Sequence, residues 1–190
     1  MLQLRAKTPP GWLSAVLSDF NAFLLDHAAC ERKASATALQ LVSHYPDRRA
    51  LVDEMVALSV EELTHFQQVY SLIAARGLTL VPDRRDAYVG ALLSLRRDGS
   101  EPYFLDRLLL AGIIEARGCE RFGLVAEGLS EEPLRTFYLD ITRSEARHQG
   151  LFVRLARTYF READVHERLG ELLDAEAEIM LAQPLRAALH

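Results

Sequence analysis

Cysteine is scarce in this chain. Cys30 and Cys119 are the only two among 190 residues. Two thiols cannot build a disulfide framework, a four-cysteine zinc site or an iron–sulfur cluster. They fit a reducing, cytoplasmic setting. No apolar run reaches the roughly 20 residues of a membrane span, and the start, MLQLRAKTPPGWL, lacks a cleavable signal pattern. The expectation is a protein without a membrane partner. Glycine-rich fingerprints for flavin or nicotinamide are missing. Alternating apolar and polar runs of strand type are missing too. Lysine is almost absent: of 22 basic side chains, only Lys7 and Lys33 are lysines. The formal charge of -5 excludes a globally basic surface, so any contact with polyanions must use a local patch.

What is present is helix. A first long helix is predicted from about Trp12 or Ser18 to His44, stopped by Tyr45-Pro46. A second runs from a cap at Asp47 to Arg76, before Gly77. Asp83 is expected to cap a short helix to Arg97, and Asp98-Gly99 makes a turn. Ser100 caps a fourth segment to Gly128, with Pro102 in its first turn. A fifth opens at Ser130 to Pro133 and runs to about Phe160. A last helix covers about Ala163 to Leu181, ahead of Pro184. The long segments span roughly 40 Å each, a length that suits a helical bundle. Nothing resembles a flexible linker, so residues 1–190 read as one domain.

Glu-x-x-His occurs twice, as Glu62-Leu-Thr-His65 and as Glu145-Ala-Arg-His148. Residues three apart share one helix face, so each pair can approach a metal from one wall. Glu31 precedes Glu62 by 31 residues, and Glu115 precedes Glu145 by 30. Each glutamate interrupts an apolar stripe: Leu24, Ala38 and Leu41 around Glu31; Met55, Leu58 and Val69 around Glu62 and His65; Leu108, Cys119 and Phe122 around Glu115; Tyr138, Ile141 and Phe152 around Glu145 and His148. Four buried carboxylates in one layer repel each other or take up protons unless cations lie between them. Oxygen and imidazole donors suit iron or manganese, whereas structural zinc favours thiolate. Glu120 competes with Glu115, since Cys119-Glu120-Arg121 echoes Cys30-Glu31-Arg32. It lies roughly 140° around the helix from Glu115 and breaks the matched offset. His27, His44, His166 and His190 lack paired spacing, and ordinary polar or capping roles are expected for them.

This ligand set resembles that of ferritin-like dimetal proteins. The resemblance implies an all-α four-helix bundle, with residues 78–100 as the long crossover and with extra short and C-terminal helices. The words around the motif narrow the family. His27-Ala-Ala-Cys-Glu31-Arg-Lys-Ala34, Glu61-Glu-Leu-Thr-His65-Phe66, Glu115-Ala-Arg-Gly-Cys-Glu-Arg-Phe122 and Ser144-Glu-Ala-Arg-His-Gln149 resemble the bacterial tRNA-(2-methylthio-N6-isopentenyl-adenosine) hydroxylases. Pro9-Pro10-Gly11-Trp12 and Tyr103-Phe104-Leu105-Asp106-Arg107 extend the resemblance over nearly the whole chain. It implies two iron ions held by Glu31, Glu62, His65, Glu115, Glu145 and His148, with dioxygen as co-substrate. The implied reaction is hydroxylation of the isopentenyl side chain of a hypermodified adenosine beside the tRNA anticodon. A separate reductase would supply the electrons.

The form Glu145-Ala-Arg147-His148 also resembles the Glu-x-Arg-His of bacterial multicomponent monooxygenases, which leans toward oxygenation. A tRNA surface would use arginines; Arg84, Arg85, Arg117 and Arg147 are the candidates, with Arg96, Arg97 and Arg121 beside them. The bland alternative for each is an ion pair on a solvated helix face. The alternative function is a ferritin-like iron oxidase or peroxidase of rubrerythrin or manganese-catalase type. Two cysteines cannot build the rubredoxin-type tail of a rubrerythrin.

Overall fold

The computed structural model describes residues 2–190, and these form seven α-helices with no strand among them. They are α1 (Pro10–Ser18), α2 (Phe20–His44), α3 (Arg49–Ala75), α4 (Ala87–Leu93), α5 (Ser100–Gly128), α6 (Glu132–Tyr159) and α7 (Glu162–Leu181). None is long and apolar enough to cross a membrane. The chain divides into two compact units. One comprises Ser18–Arg84 with Ala187–Leu189, and its body is the α2–α3 hairpin. The other comprises Arg85–Arg186 with the N-terminal residues to Leu17 and with His190; its body is the α5–α6 hairpin, flanked by α4 and α7.

In the first of these units the break before α2 is set by Asp19. Its carboxylate accepts the Ala22 N–H at 3.0 Å, an N-cap that separates α1 from α2. Of the two expected starts, the one near Ser18 is the one α2 follows, and the stretch from Trp12 belongs to the separate α1. α3 begins at Arg49 without a side-chain cap, so Asp47 does not play the part its sequence position suggested. It ends in a Schellman turn. Gly77 takes φ +68°, its N–H reaches the Ala74 carbonyl, and the Leu78 N–H reaches that of Ile73. The hairpin is keyed at mid-length. The Ser35 hydroxyl donates to the Ser59 carbonyl at 2.9 Å, and the Ser59 hydroxyl donates to the Ser35 carbonyl at 3.1 Å. Two small buried side chains let the backbones approach while satisfying each other's polar groups.

In the other unit, Asp86 caps α4 by accepting the Val89 N–H at 2.9 Å. The expected cap, Asp83, pairs with Arg32 instead. α4 stops at Leu93, short of Arg97, whose N–H and guanidinium both bind Asp106. Gly99, at φ +92°, rather than Ser100, is the N-cap of α5. In the α5–α6 pair, Gly112 sits at a close approach. A Cβ on Gly112 would lie 3.3 Å from Phe152 Cβ and 3.4 Å from the Gln149 carbonyl oxygen.

α5 and α7 are joined by a buried ion pair. Arg117 and Glu176 are both wholly inaccessible. Arg117 donates from Nε and Nη2 to the two Glu176 oxygens at 2.8 and 2.9 Å. Tyr88 adds its hydroxyl at 2.9 Å. Arg117 also pairs with Glu120 and donates to the Ala6 carbonyl at 3.0 Å.

Candidate metal centre

Each hairpin assembles its own triad. In the α2–α3 hairpin, Glu31, Glu62 and His65 each offer a ligand atom, and these atoms lie within 4.8 Å of one another. All three residues are buried. His65 Nδ1 is 3.3 Å from Glu62 Oε2 and 3.7 Å from Glu31 Oε2. Burial alone would lower the His65 pKa. The hydrogen bonds and charges of Glu31 and Glu62 outweigh it and raise the pKa to about 10. The imidazole therefore carries a proton at neutral pH when no other cation balances the carboxylates. That proton must leave when a metal binds, so metal affinity rises with pH across the neutral range.

For His27, one turn before Glu31, the unpaired spacing predicts an ordinary role. The structure gives it a specific one. It is wholly buried, packs against the Phe23 ring, and its Nε2 lies 2.6 Å from Glu31 Oε1. Burial and the neighbouring His65 push its pKa down to about 3, so the ring is neutral. A carboxylate only accepts, which makes Nε2 the protonated nitrogen donating to Glu31. His27 thus aims one carboxylate oxygen while the other remains for a metal. Partners of this kind typically change metal affinity 10–100-fold. His27→Leu is expected to weaken iron binding by about that factor while preserving the helix fold. His27→Gln, which keeps a donor, should recover most of the loss. A chelator-competition titration with ferrous ion checks both, and equal affinities for wild type and His27→Leu would remove His27 from this role.

In the α5–α6 hairpin the matching residues are Glu115, Glu145 and His148, again with ligand atoms within 4.8 Å of one another. Glu145 and His148 are buried and Glu115 is half-buried. His148 Nδ1 is 3.2 Å from Glu145 Oε2, the counterpart of the His65–Glu62 contact. Glu120, the rival to Glu115, is turned to other work: its oxygens accept the Thr8 N–H at 3.0 Å and the Thr8 hydroxyl at 2.8 Å. Cys119 lies one turn after Glu115. Burial, then the charges of Glu145 and Glu115, raise its pKa to about 11. It stays a thiol and donates to the Thr142 carbonyl at 3.4 Å. The donors are thus carboxylate and imidazole with no thiolate, a set that fits iron or manganese.

The candidate RNA-contacting arginines divide by burial. Arg84, Arg85 and Arg147 are exposed. Arg147 lies along its own helix, donating to the Arg143 carbonyl and the Ser144 hydroxyl. Arg117 is a correction: it is buried and committed to Glu176 and Glu120, so no phosphate can reach it. Arg121 is buried over the Trp12 ring at 5.0 Å. Arg96 stacks on Tyr103, and Arg97 pairs with Asp106.

A family model described as tRNA-(MS[2]IO[6]A)-hydroxylase (MiaE) matches residues 2–190. The chain belongs to this family. A member from Pseudomonas putida, named tRNA 2-(methylsulfanyl)-N(6)-isopentenyladenosine(37) hydroxylase, is 36% identical over 98% of this chain and 91% of its own length. A member of the same name from Salmonella typhimurium is 30% identical, covering 98% of this chain and 87% of its own. A solved structure, Protein 43 with aldehyde deformylating oxygenase activity from Synechococcus, is 37% identical. It superposes with a TM-score of 0.94 over 100% of this chain and 96% of that one. The fold class of this MiaE-family member is accordingly all-α and ferritin-like.

Proposed function

We propose that the protein hydroxylates the isopentenyl side chain of 2-methylthio-N6-isopentenyl-adenosine next to the tRNA anticodon, and that residues 1–190 act as one diiron domain. The observation that carries the proposal is the pair of matching triads, Glu31/Glu62/His65 and Glu115/Glu145/His148, in a chain of this family. In the proposal these six residues would hold two iron ions. His65 and His148 would each offer an imidazole, and Glu31, Glu62, Glu115 and Glu145 would offer carboxylates. Two ferrous ions would supply the electrons that reduce dioxygen, so that one oxygen atom enters a C–H bond and the other leaves as water. Two electrons and two protons per turnover complete the balance, and a separate reductase is proposed as their source. The protein's own residues shape the conditions. His27 fixes the orientation of Glu31, and the neutral Cys119 adds no soft donor. The apolar neighbours of each triad, such as Leu58, Val69, Ile141 and Phe152, are buried and keep bulk water away. The proposed setting is the cytoplasm, where tRNA is modified.

The test is mass analysis of nucleosides. Reduced, iron-loaded protein is incubated with isopentenylated tRNA under oxygen. The expected result is a gain of one oxygen on the isopentenyl adenosine, from protein holding about two irons per chain. Absence of that product from protein with two irons would overturn the hydroxylase proposal in favour of an iron oxidase or peroxidase. Fewer than about one iron per chain after anaerobic reconstitution would overturn the dimetal centre itself. Because the Synechococcus relative is named for an aldehyde deformylating activity, an aldehyde serves as the competing substrate in the same assay.

A further inference from the structure

One surface of the Arg85–Arg186 unit is used by nothing described so far. A groove of about 480 Å³ opens between α6, α7 and the first residues of the chain. Val153, Leu169 and Leu173 give it an apolar lining, while Arg5, Arg154, Arg157 and His166 bring cationic or protonatable groups; no aspartate or glutamate lines it. On α6, Val153 and Arg157 lie roughly 140° and 180° around the helix from His148, so the groove is on the side away from the triad. The space beside Gly170 is open: a Cβ there would meet nothing within 4 Å.

We propose that this groove holds the phosphodiester backbone of the RNA substrate, with a ribose or base against its apolar lining. The inference rests on the proposed tRNA activity and locates its partner. Charge complementarity supports this choice of occupant. The chain is net negative, yet this groove is lined by three arginines and no acid. Arg154 is exposed and forms no ion pair among the described residues. Arg5 and Arg157 have carboxylate partners, Asp174 at 2.9 Å and Glu162 at 2.8 Å, but both pairs lie at the surface, with all four side chains at least half exposed. Exposed pairs of this kind are weak, so a phosphate can take the place of either carboxylate. Guanidinium groups match phosphate in two-point geometry, and a positively charged groove that tracks the backbone is how single-stranded segments are held without sequence readout.

The test measures binding of an isopentenylated anticodon stem-loop RNA to iron-loaded protein by fluorescence anisotropy across a salt series. Arg154→Glu should weaken binding about tenfold at low salt and reduce the slope of log affinity against log salt by about one. Arg154→Lys should retain most of the affinity. In turnover, Arg154→Glu should raise KM with kcat within about twofold, and iron per chain should stay unchanged. Unchanged RNA affinity and salt slope in Arg154→Glu, with wild type binding normally, would overturn the groove and leave the hydroxylase proposal standing. A loss confined to reductase-supported turnover would also overturn it, by assigning the groove to the electron donor. Failure of wild type to bind the RNA would overturn both proposals together.

Discussion

Glu115→Ala is expected to lose iron and at least about a hundredfold in hydroxylation rate, because groups merely supporting a ligand already change affinity 10–100-fold. Glu115 offers a ligand atom within 4.8 Å of those of Glu145 and His148. Without its carboxylate the remaining pair has one oxygen donor fewer and a weaker negative field for a divalent ion. Glu120→Ala is the informative control. Five residues along the same helix, its carboxylate binds Thr8 and Arg117. Its removal should cost about 1–3 kcal/mol of stability through lost charge-assisted hydrogen bonds, and it should leave iron content intact. Iron quantification and single-turnover product yield on both variants check the assignment. Iron loss in Glu120→Ala with retention in Glu115→Ala would reverse it.

A loss of stability of about 3–5 kcal/mol is expected for Glu176→Leu. Arg117 would then keep its charge in a wholly buried position with Glu120 as its remaining carboxylate partner. Tyr88 would lose the acceptor for its hydroxyl. For a chain of this length each kcal/mol shifts the melting temperature by about 2–4 °C, so the midpoint should fall by roughly 10 °C. Adding Arg117→Met should recover most of that loss, because replacing both members of a buried pair with apolar groups is often neutral or stabilising. Denaturant unfolding of the two single variants and the double variant closes the cycle. A cost below about 1 kcal/mol for Glu176→Leu would mean that water reaches Arg117 and that α5 and α7 are not held by this pair.

The clustering of Glu31, Glu62 and His65, and of Glu115, Glu145 and His148, was legible from sequence because a helix turns three-residue spacing into a shared face, and because both halves repeat the offset. The apolar stripes were legible for the same reason. His27 was missed although its spacing to Glu31 is itself one helical turn; a lone His four residues before a Glu is common, and only complete burial makes it specific. Arg117 was misplaced because Glu176, the buried carboxylate it pairs with, is 59 residues away, and Tyr88, which shares that carboxylate, lies 29 residues off, beyond any periodic pattern. The caps failed differently. Asp83 and Asp86 are both cap-competent before α4, and choosing between them requires knowing that Arg32 occupies Asp83. At Asp19 the apolar pattern continues across the break, so periodicity alone leaves the start open between Trp12 and Ser18, and the Asp19 cap decides it.

The reciprocal Ser35–Ser59 bonds have a consequence for how this hairpin tolerates change. They sit one turn from Glu31 and one turn from Glu62, and they fit a single sliding position of α2 against α3. Slippage by one residue would break both bonds and rotate each glutamate by about 100°. Register is thus encoded beside the triad and not in the bend at residues 45–48. Lengthening that bend would add a surface loop at little free-energy cost, while the donor atoms keep their places. The hairpin behaves as a cassette with an internal key, free to vary at its tip and intolerant at its middle.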